Sequence, residues 1–193
     1  MHDNRIKFFF GLDGGPGDAI NKCLELAKGD ICNFLGSDDI LYDNDVLKKV
    51  ALAFKSNQTD SVYGNLIFKG NFIQRKWLPG IYKKNSFLNG WQIPFPAFYF
   101  KRDLFYQYGG FDTNINISDD FDFTFRLLHI KKIRTYYINE TLVLFYYNGR
   151  SNKLSSKLKS VYEIYKIFRK YNIKNSYFRY LIKRSFKKIN QFL

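Results

Sequence analysis

Apolar and polar positions at the start of the chain follow the order strand, helix, strand. The apolar run at residues 6–10 predicts a strand, apolar positions at helical spacing over residues 18–28 predict a helix, and residues 31–35 predict a second strand. A connection of this length is too long for a hairpin, so the two strands are expected to be parallel. Ligands of such α/β sheets bind beyond the carboxyl ends of the strands, which here are the glycine-rich residues 11–17 and residues 36–39.

The middle of the chain predicts further short elements of the same α/β class. Alternating apolar positions on either side of Lys69-Gly70-Asn71 indicate a hairpin. An apolar strand follows Pro94-Phe95-Pro96, and a helix opens at Ser118. The predicted elements are a helix at residues 45–56, strands at 61–68, 72–77 and 97–100, and helices at 103–108 and 118–129.

Residues 150–193 predict two basic amphipathic helices with a break near residues 172–175. An apolar stripe bordered by lysines suits the anionic surface of a membrane, and it equally suits packing against the rest of the domain. The two interpretations can hold together, one for each helix, and nucleic acid is a weaker third. The stripes consist of Leu154, Leu158, Val161, Tyr165 and Phe168 in the first helix and of Phe178, Leu181, Ile182, Ile189 and Phe192 in the second.

Composition and charge separate a nearly neutral body from a basic tail. The 193 residues are 46% hydrophobic and 20% aromatic, which excludes general disorder. Residues 1–149 contain 18 Lys and Arg against 16 Asp and Glu, a net charge of +2. Residues 150–193 contain 13 Lys and Arg against Glu163 alone, a net charge of +12. Because the excess lies in the tail, nucleic acid is not the expected partner of the body.

The cysteines and the N-terminus indicate a cytoplasmic protein. Cys23 and Cys32 are too few for a disulfide framework and have no histidine nearby for a zinc site, so we expect two reduced, buried thiols. Residues 1–5 lack the charged-then-apolar pattern of a signal peptide. No apolar run approaches the roughly 18–20 residues of a membrane-spanning helix.

Two adjacent carboxylates follow the second predicted strand, in Gly36-Ser37-Asp38-Asp39. Adjacent like charges repel each other, and a cation or a hydrogen-bonding cap would neutralise them. Oxygen ligands without His or Cys favour Mg²⁺ or Mn²⁺ over zinc. The sequence therefore predicts a divalent metal site, with capping of the following helix by Asp39 as the alternative.

A second carboxylate cluster opens the last helix of the body. Asp119, Asp120 and Asp122 lie within four residues, which is more than the capping of a helix start requires. Mutual repulsion raises the pKa of one member of such a cluster toward neutrality. A cluster of this kind suits a general base.

These segments, in their order along the chain, resemble the inverting family 2 glycosyltransferases with the GT-A fold, in particular the bacterial type that builds exopolysaccharide and O-antigen chains. The resemblance spans roughly residues 6–145. It implies a mostly parallel, Rossmann-like sheet that lacks the family's first strands and is followed by a helical extension. The matching segments are residues 17–22, 27–30, 34–39, 62–65, 108–112 and 119–128.

The resemblance also implies roles for individual residues. Asp120 would be the general base that deprotonates the acceptor hydroxyl, and Asp119 the acid that precedes it. Asp38 and Asp39 would hold Mg²⁺ or Mn²⁺ on the diphosphate of the donor. The nucleotide sugar would contact Asp18, Asn21, Lys22, Ser37 and Asp38.

The activity implied is metal-assisted, inverting transfer of a sugar from a nucleotide sugar to a saccharide acceptor, with a lipid-linked acceptor suited to the basic tail. The enzyme would be cytoplasmic and peripheral to the inner face of the plasma membrane. We expect a partial GT-A-like domain over residues 1–149 and a basic helical tail over residues 150–193. A membrane-associated scaffold that keeps the fold without catalysis is the alternative.

Three departures from the family pattern bear on this expectation. Gly36 stands where the family often has Asp or Asn, and Phe95-Pro96 replaces a His-Gln pair. The family's first strand–helix–strand–helix segment has no counterpart before Met1. Three explanations stay open: a start internal to a longer gene, a split or degenerate transferase, and a compact variant that completes its site as a homodimer.

Overall fold

A computed structural model describes residues 3, 5–8, 10–70, 74–146, 154–174 and 176–189. The strand predicted at residues 6–10 is wrong for the described residues of that range, which lie in no strand. The side chains of Phe8 and Phe10 are 76% and 94% exposed. A strand requires a hydrogen-bonded neighbour, and no described strand lies beside this segment.

The described elements include six strands and six α-helices, interspersed along the chain. The two longest strands lie at the centre of the sheet, and the two longest helices follow it in sequence. The strands are β1 (Ile31–Cys32), β2 (Asp39–Leu41), β3 (Ser61–Lys69), β4 (Gln74–Trp77), β5 (Phe98–Lys101) and β6 (Thr135–Tyr146). The helices are α1 (Pro16–Leu26), α2 (Val46–Asn57), α3 (Asp103–Tyr108), α4 (Asp119–Phe125), α5 (Leu154–Lys170) and α6 (Tyr177–Ile189).

The strands form one sheet in the order β1-β5-β3-β6-β2, with β4 paired to β3. Only β3 and β6 run parallel; the other described pairs are antiparallel. The expectation of a mostly parallel sheet is therefore wrong for the described strands. The physical reason is that β1 pairs with β5, which runs antiparallel to it, with Ile31 opposite Lys101. The α/β class itself is confirmed.

Several local predictions are confirmed. The helix at residues 103–108 is α3, and the helix predicted at residues 118–129 is α4 followed by a π-helical turn, Arg126–Ile130. The predicted hairpin is the antiparallel pair of β3 and β4, although residues 71–73 lie outside the described residues. Proline delays β5, because residues 95–97 form a 3₁₀ turn before the strand begins at Phe98.

The sheet separates two apolar layers. Alternate residues of β5 divide between them: Phe98 and Phe100 enter the larger layer, whereas Tyr99 enters the smaller layer beneath α2. The larger layer contains the buried aromatic side chains of α4, among them Phe123 and Phe125.

The tail helices belong to the larger layer. Ile167 and Phe168 of α5 and Tyr180 of α6 are at most 1% exposed. The predicted stripe of α5 is wrong at Leu158 and Tyr165, which are 65% and 42% exposed. Among the members of the stripe whose side chains are described, only Phe168 is fully buried. Packing of the tail against the body is thus confirmed, but α5 packs with a different face from the one that the stripe predicted. The side chains of Leu154 and Ile189, and the whole of Phe192, lie outside the described residues.

The two cysteines are free thiols in different environments. Cys32 is buried, as expected. Cys23 is exposed, and the expectation of burial is wrong there because the buried positions of α1 are Gly17 and Leu24. No helix in the described part of the chain combines the length and apolar character needed to cross a bilayer.

Candidate active site

The start of α4 presents three carboxylates in different surroundings. We call residues 118–122 the acidic turn. Asp119 and Asp122 are buried, at 8% and 0% exposed. Asp120 is half-buried and lines a cavity of about 470 Å³. Successive side chains of a helix diverge by roughly 100°, so three acids within one turn reach different neighbours.

The surroundings of Asp120 suit a base that acts near neutral pH. Burial, and next the charge of Asp119, raise the pKa of Asp120 to about 7. Three groups favour the ionised form: the backbone N–H of Phe121, which donates to Oδ1 at 2.6 Å, the positive charge of Arg184, and more weakly the backbone N–H of Asp120 itself. A base with such a pKa is partly ionised at neutral pH and still accepts a proton readily.

Asp119 supports the acidic turn through a hydrogen bond to its backbone. Its Oδ1 accepts the backbone N–H of Asp120 at 3.0 Å, while its buried Oδ2 has no hydrogen-bond partner within the described structure. Burial, and to a smaller degree the charges of Glu163 and Asp122, raise the pKa of Asp119. A Cβ at Gly17 would lie 3.3 Å from Oδ2, so the first turn of α1 abuts the acidic turn.

Glu163 of α5 holds the loop that leads into the acidic turn. Its carboxylate accepts three consecutive backbone N–H groups, those of Asn116, Ile117 and Ser118, at 3.1, 3.0 and 2.9 Å. The side chain is 4% exposed. Hydrogen bonds to an ionised acceptor are stronger than neutral ones. The only acidic residue of the tail thus fixes the backbone two residues before Asp120.

Two basic side chains, Lys170 and Arg126, hold α5 and the Gly-Gly loop against α4. Lys170 of α5 bridges Asp112, at 2.8 Å, and the buried Asp122, at 3.2 Å. Arg126 donates to the backbone carbonyls of Tyr108, Gly109 and Gly110 and so closes the Gly-Gly loop against α4. The loop and the helix are therefore held as one unit.

The cavity beside Asp120 lies between the sheet and the tail. Trp77 and Phe145 of the sheet form part of one side, and Tyr180 and Arg184 of α6 form part of another. Gln92 donates to the Tyr180 hydroxyl at 2.6 Å, which connects α6 to the loop before β5. The cavity has the volume of a small-molecule site.

The predicted nucleotide-sugar residues of α1 make contacts within the chain. Lys22 pairs with Asp18 at 2.7 Å and donates to the carbonyl of Leu12. The Lys22 ammonium, and next the backbone N–H of Gly14, lower the pKa of Asp18. Asn21 donates to the carbonyl of Phe111 and accepts its N–H at 2.7 Å, so Asn21 joins α1 to the Gly-Gly loop.

The predicted metal residues lie in a tight turn before β2. Asp39 Oδ2 accepts the backbone N–H of Gly36 at 2.8 Å, and the N–H of Asp39 returns to the Gly36 carbonyl. Burial, and more weakly Asp38, raise the pKa of Asp39. Asp39 therefore caps its own turn and not a helix. Phe145, the sheet partner of Asp39, lines the cavity, so this turn adjoins the cavity wall.

The donor set of this turn fits a divalent ion bound jointly with a substrate. Asp38 is exposed, and Ser37 Oγ lies 3.5 Å from its Oδ1. Within the described residues no group of three or more His, Cys, Asp or Glu side chains could hold a metal alone. Mg²⁺ commonly uses one or two carboxylates together with substrate phosphates. This turn provides one exposed carboxylate and one oxygen of a second.

Three residues with a part in this site were not singled out from the sequence. Glu163, Lys170 and Arg184 all lie in the tail and all reach the surroundings of Asp120. Glu163 carried a usable signal, because it is the sole acid in an otherwise basic segment. Arg184 and Lys170 are indistinguishable in sequence from the solvated lysines and arginines around them.

Comparison with known proteins matches the chain to a family. The model of the family described as Glycosyl transferase family 2 matches residues 2–135. A PGL/p-HBAD biosynthesis glycosyltransferase of Mycobacterium bovis is 30% identical over 148 residues, which cover 75% of this chain and 56% of that protein. A glycosyltransferase of Rickettsia conorii is 24% identical over 173 residues, covering 80% of this chain and 27% of its own length.

Solved structures share the fold. S. aureus TarS superposes with a TM-score of 0.58 at 18% identity, over 81% of this chain and 26% of TarS. TarS 1–349 in complex with UDP-GlcNAc gives 0.54 at 18% identity, over 81% of this chain and 46% of that one. The mannosyltransferase PcManGT from Pyrobaculum calidifontis, in complex with GDP-Man and Mn²⁺, gives 0.56 at 14% identity, over 90% and 49%.

Proposed function

Because the chain belongs to glycosyl transferase family 2, we propose that it transfers a sugar from a nucleotide-sugar donor to a hydroxyl of a saccharide acceptor, with inversion at the anomeric carbon. One observation carries the proposal: Asp120 lines the cavity with a pKa of about 7. The chain spans about half the length of the curated relatives it matches, so the activity of the whole enzyme is part of the proposal.

The proposed reaction is a single displacement. Asp120 takes the proton of the acceptor hydroxyl as its oxygen forms a bond to the anomeric carbon. The bond from that carbon to the diphosphate oxygen breaks on the opposite face, and its electron pair leaves with the nucleoside diphosphate. Glu163 keeps the acidic turn in place during proton transfer.

Asp38 would hold Mg²⁺ or Mn²⁺ at the diphosphate. Asp39 would contribute Oδ1, the oxygen that does not accept the Gly36 N–H. The ion, when bound, supplies positive charge to the leaving group. The neighbour PcManGT was solved with GDP-Man and Mn²⁺, which supports this choice of ion. Asp18, Asn21 and Lys22 keep the start of α1 rigid beside the acidic turn, and we propose that the donor lies along this helix start and Ser37.

Two substitutions test these roles separately. Asp120→Asn removes the base with little change in shape, so transfer should fall by about 10²-fold or more, as expected for loss of a general base, while calorimetric binding of UDP with Mn²⁺ is kept. Asp38→Asn should weaken that Mn²⁺-dependent binding about tenfold. Equal transfer by Asp120→Asn and the unchanged chain would refute the base assignment, and no transfer by a folded unchanged chain would favour a non-catalytic scaffold.

We also propose that the exposed face of α6 lies on an anionic membrane, where a lipid-linked acceptor would be reached. Phe178, Ile182 and Phe186 are 77%, 59% and 65% exposed and recur every fourth residue. Arg179, Lys183 and Lys187 follow them directly and are exposed too. An apolar stripe beside cations is the pattern of a helix that lies in the membrane interface.

Vesicle sedimentation tests the membrane proposal. The chain should sediment with vesicles that contain anionic lipid and not with purely zwitterionic ones. Replacing Phe178 and Phe186 together by Ser should weaken binding at least fivefold, and Leu47→Ser and Leu52→Ser, two exposed apolar positions of α2, form the matched control. Equal binding by both double variants would contradict the proposal.

A homodimer remains a prediction that light scattering would test.

A further inference from the structure

One wall of the cavity beside Asp120 is strongly basic. Four cationic side chains from three elements line it, and we call them the basic wall. Of the lining residues, all of which are described, only Asp120 is acidic. The basic wall consists of Arg75 of β4, Lys157 of α5, and Arg184 and Lys188 of α6.

Arg184 of the basic wall is held against the sheet. Its guanidinium lies over the Trp77 ring, 4.9 Å from the ring centre. Burial lowers the pKa of Arg184, and Tyr180 and Asp120 act in the opposite direction. The side chain is therefore held between the sheet and the tail, on the cavity side of α6.

The backbone of α6 is fixed in this position by a close approach. Gly90 has a φ of +72°, and a Cβ there would lie 2.7 Å from the carbonyl carbon of Lys183 and 2.8 Å from Cα of Arg184. Such distances exclude a side chain, so the helix docks directly on Gly90. This docking sets the orientation of α6, and Arg184 therefore faces the cavity.

The cations of the basic wall destabilise one another. Burial, followed by the charges of Arg184, Arg75 and Lys157, lowers the pKa of Lys188 to about 8. Four positive groups around a concave surface concentrate a positive potential that attracts an anion. Among the residues that line the cavity, Asp120 alone can carry the opposite charge. A phosphate group carries the charge and the acceptor oxygens that such a set of donors binds.

We propose that the basic wall binds a phosphate group carried by the acceptor, and so places the acceptor hydroxyl at Asp120. The inference rests on the proposed glycosyl transfer and names its acceptor class, a phosphate-bearing saccharide. The acceptor is favoured over the donor diphosphate because three of the four cations lie on α5 and α6, beyond the residues 2–135 that the family model matches. The predicted metal residues Asp38 and Asp39 lie within the matched residues, in the turn that leads into β2.

The probe is glucose 1-phosphate, titrated into the whole chain in a calorimeter without divalent metal, with uncharged glucose as its reference. The chain should bind glucose 1-phosphate and bind glucose far more weakly. Arg184→Gln should weaken the binding of glucose 1-phosphate at least tenfold, as loss of a charge-assisted contact predicts. Lys188→Gln, which removes a second cation of the basic wall from the same helix, should weaken it about threefold.

Lys183→Gln is the matched control, because it removes the same charge from the same helix at an exposed residue that does not line the cavity. We expect its affinity to stay within twofold of the unchanged chain. Equal losses in Arg184→Gln and Lys183→Gln would overturn the proposal in favour of general charge attraction. No binding by the unchanged chain up to about 10 mM, a free energy weaker than about 3 kcal/mol, would overturn it as well.

A second titration separates the acceptor from the donor. UDP with Mn²⁺ should bind Arg184→Gln and the unchanged chain equally, and saturating glucose 1-phosphate should leave the UDP affinity unchanged. Competition between the two ligands would assign the basic wall to the donor and overturn the acceptor assignment. Neither titration requires turnover, so a failure here is distinct from a failure of Asp120→Asn to abolish transfer.

Discussion

At the scale of single residues, Asp120 combines reactivity with a cost in stability. Its pKa is about 7 in the folded chain and about 4 for an aspartate in an unfolded chain. Between these values the folded state holds a proton that the unfolded state has released. The free energy of unfolding therefore falls as pH rises from about 4 to about 7. The environment that prepares Asp120 as a base is the same one that resists its ionisation.

Asp120→Asn should consequently stabilise the fold in a pH-dependent way. Asparagine stays neutral, so the Asp120→Asn chain should melt at a higher temperature than the unchanged chain, and this difference should grow between pH 5 and pH 8. The corresponding gain in the free energy of unfolding over this range is at most about 3 kcal/mol. Differential scanning calorimetry at the two pH values measures it. An advantage that is the same at both pH values would contradict the cause given for the raised pKa.

At the scale of elements, α5 organises the site more than its surface charge suggests. Glu163 accepts three backbone N–H groups ahead of α4, and Lys170 reaches the buried Asp122 behind it. The acidic turn is thus held at both ends by one helix. A buried N–H that loses its acceptor costs roughly 1–3 kcal/mol, so the position of the turn depends on Glu163.

Glu163→Gln should act on turnover and not on donor binding. The amide offers one acceptor oxygen in place of two, so the loop relaxes and Asp120 shifts from the cavity wall. We expect kcat to fall 10- to 100-fold, with KM for the donor within threefold and partial recovery in Glu163→Asp. Steady-state kinetics provide the readout, with Lys166→Gln, on the exposed face of α5, as control. A rise in donor KM with unchanged kcat would contradict this positioning role.

At the scale of the whole molecule, the sequence anticipated local features better than partnerships between distant segments. The bounds of α3, the start of α4 and the β3–β4 hairpin follow from neighbouring residues, and the structure confirms them. The pairing of β1 with β5 joins Cys32 to Phe100, and no local pattern specifies such a partner. The sheet was therefore expected to be more parallel than the described strands are.

The tail shows the same limit for a helix face. α5 carries two overlapping apolar stripes, and the body selects the one that contains Ile164 and Ile167 over the one that contains Leu158 and Tyr165. Periodicity cannot choose between such stripes, because the choice depends on the shape of the surface that receives the helix. Asp120 could be found from its cluster, whereas the contribution of Arg184 appears only when α6 docks on Gly90.

The central claim is that Asp120 is a base that titrates near neutrality, and the pH dependence of transfer tests it most directly. The unchanged chain should transfer sugar at a rate that falls about tenfold per pH unit below pH 7 and levels off above it, because only the ionised carboxylate accepts the proton. Asp120→Asn should show a low rate without this step. A rate that is flat from pH 5 to pH 9 in the unchanged chain, or an identical profile in Asp120→Asn, would contradict the claim.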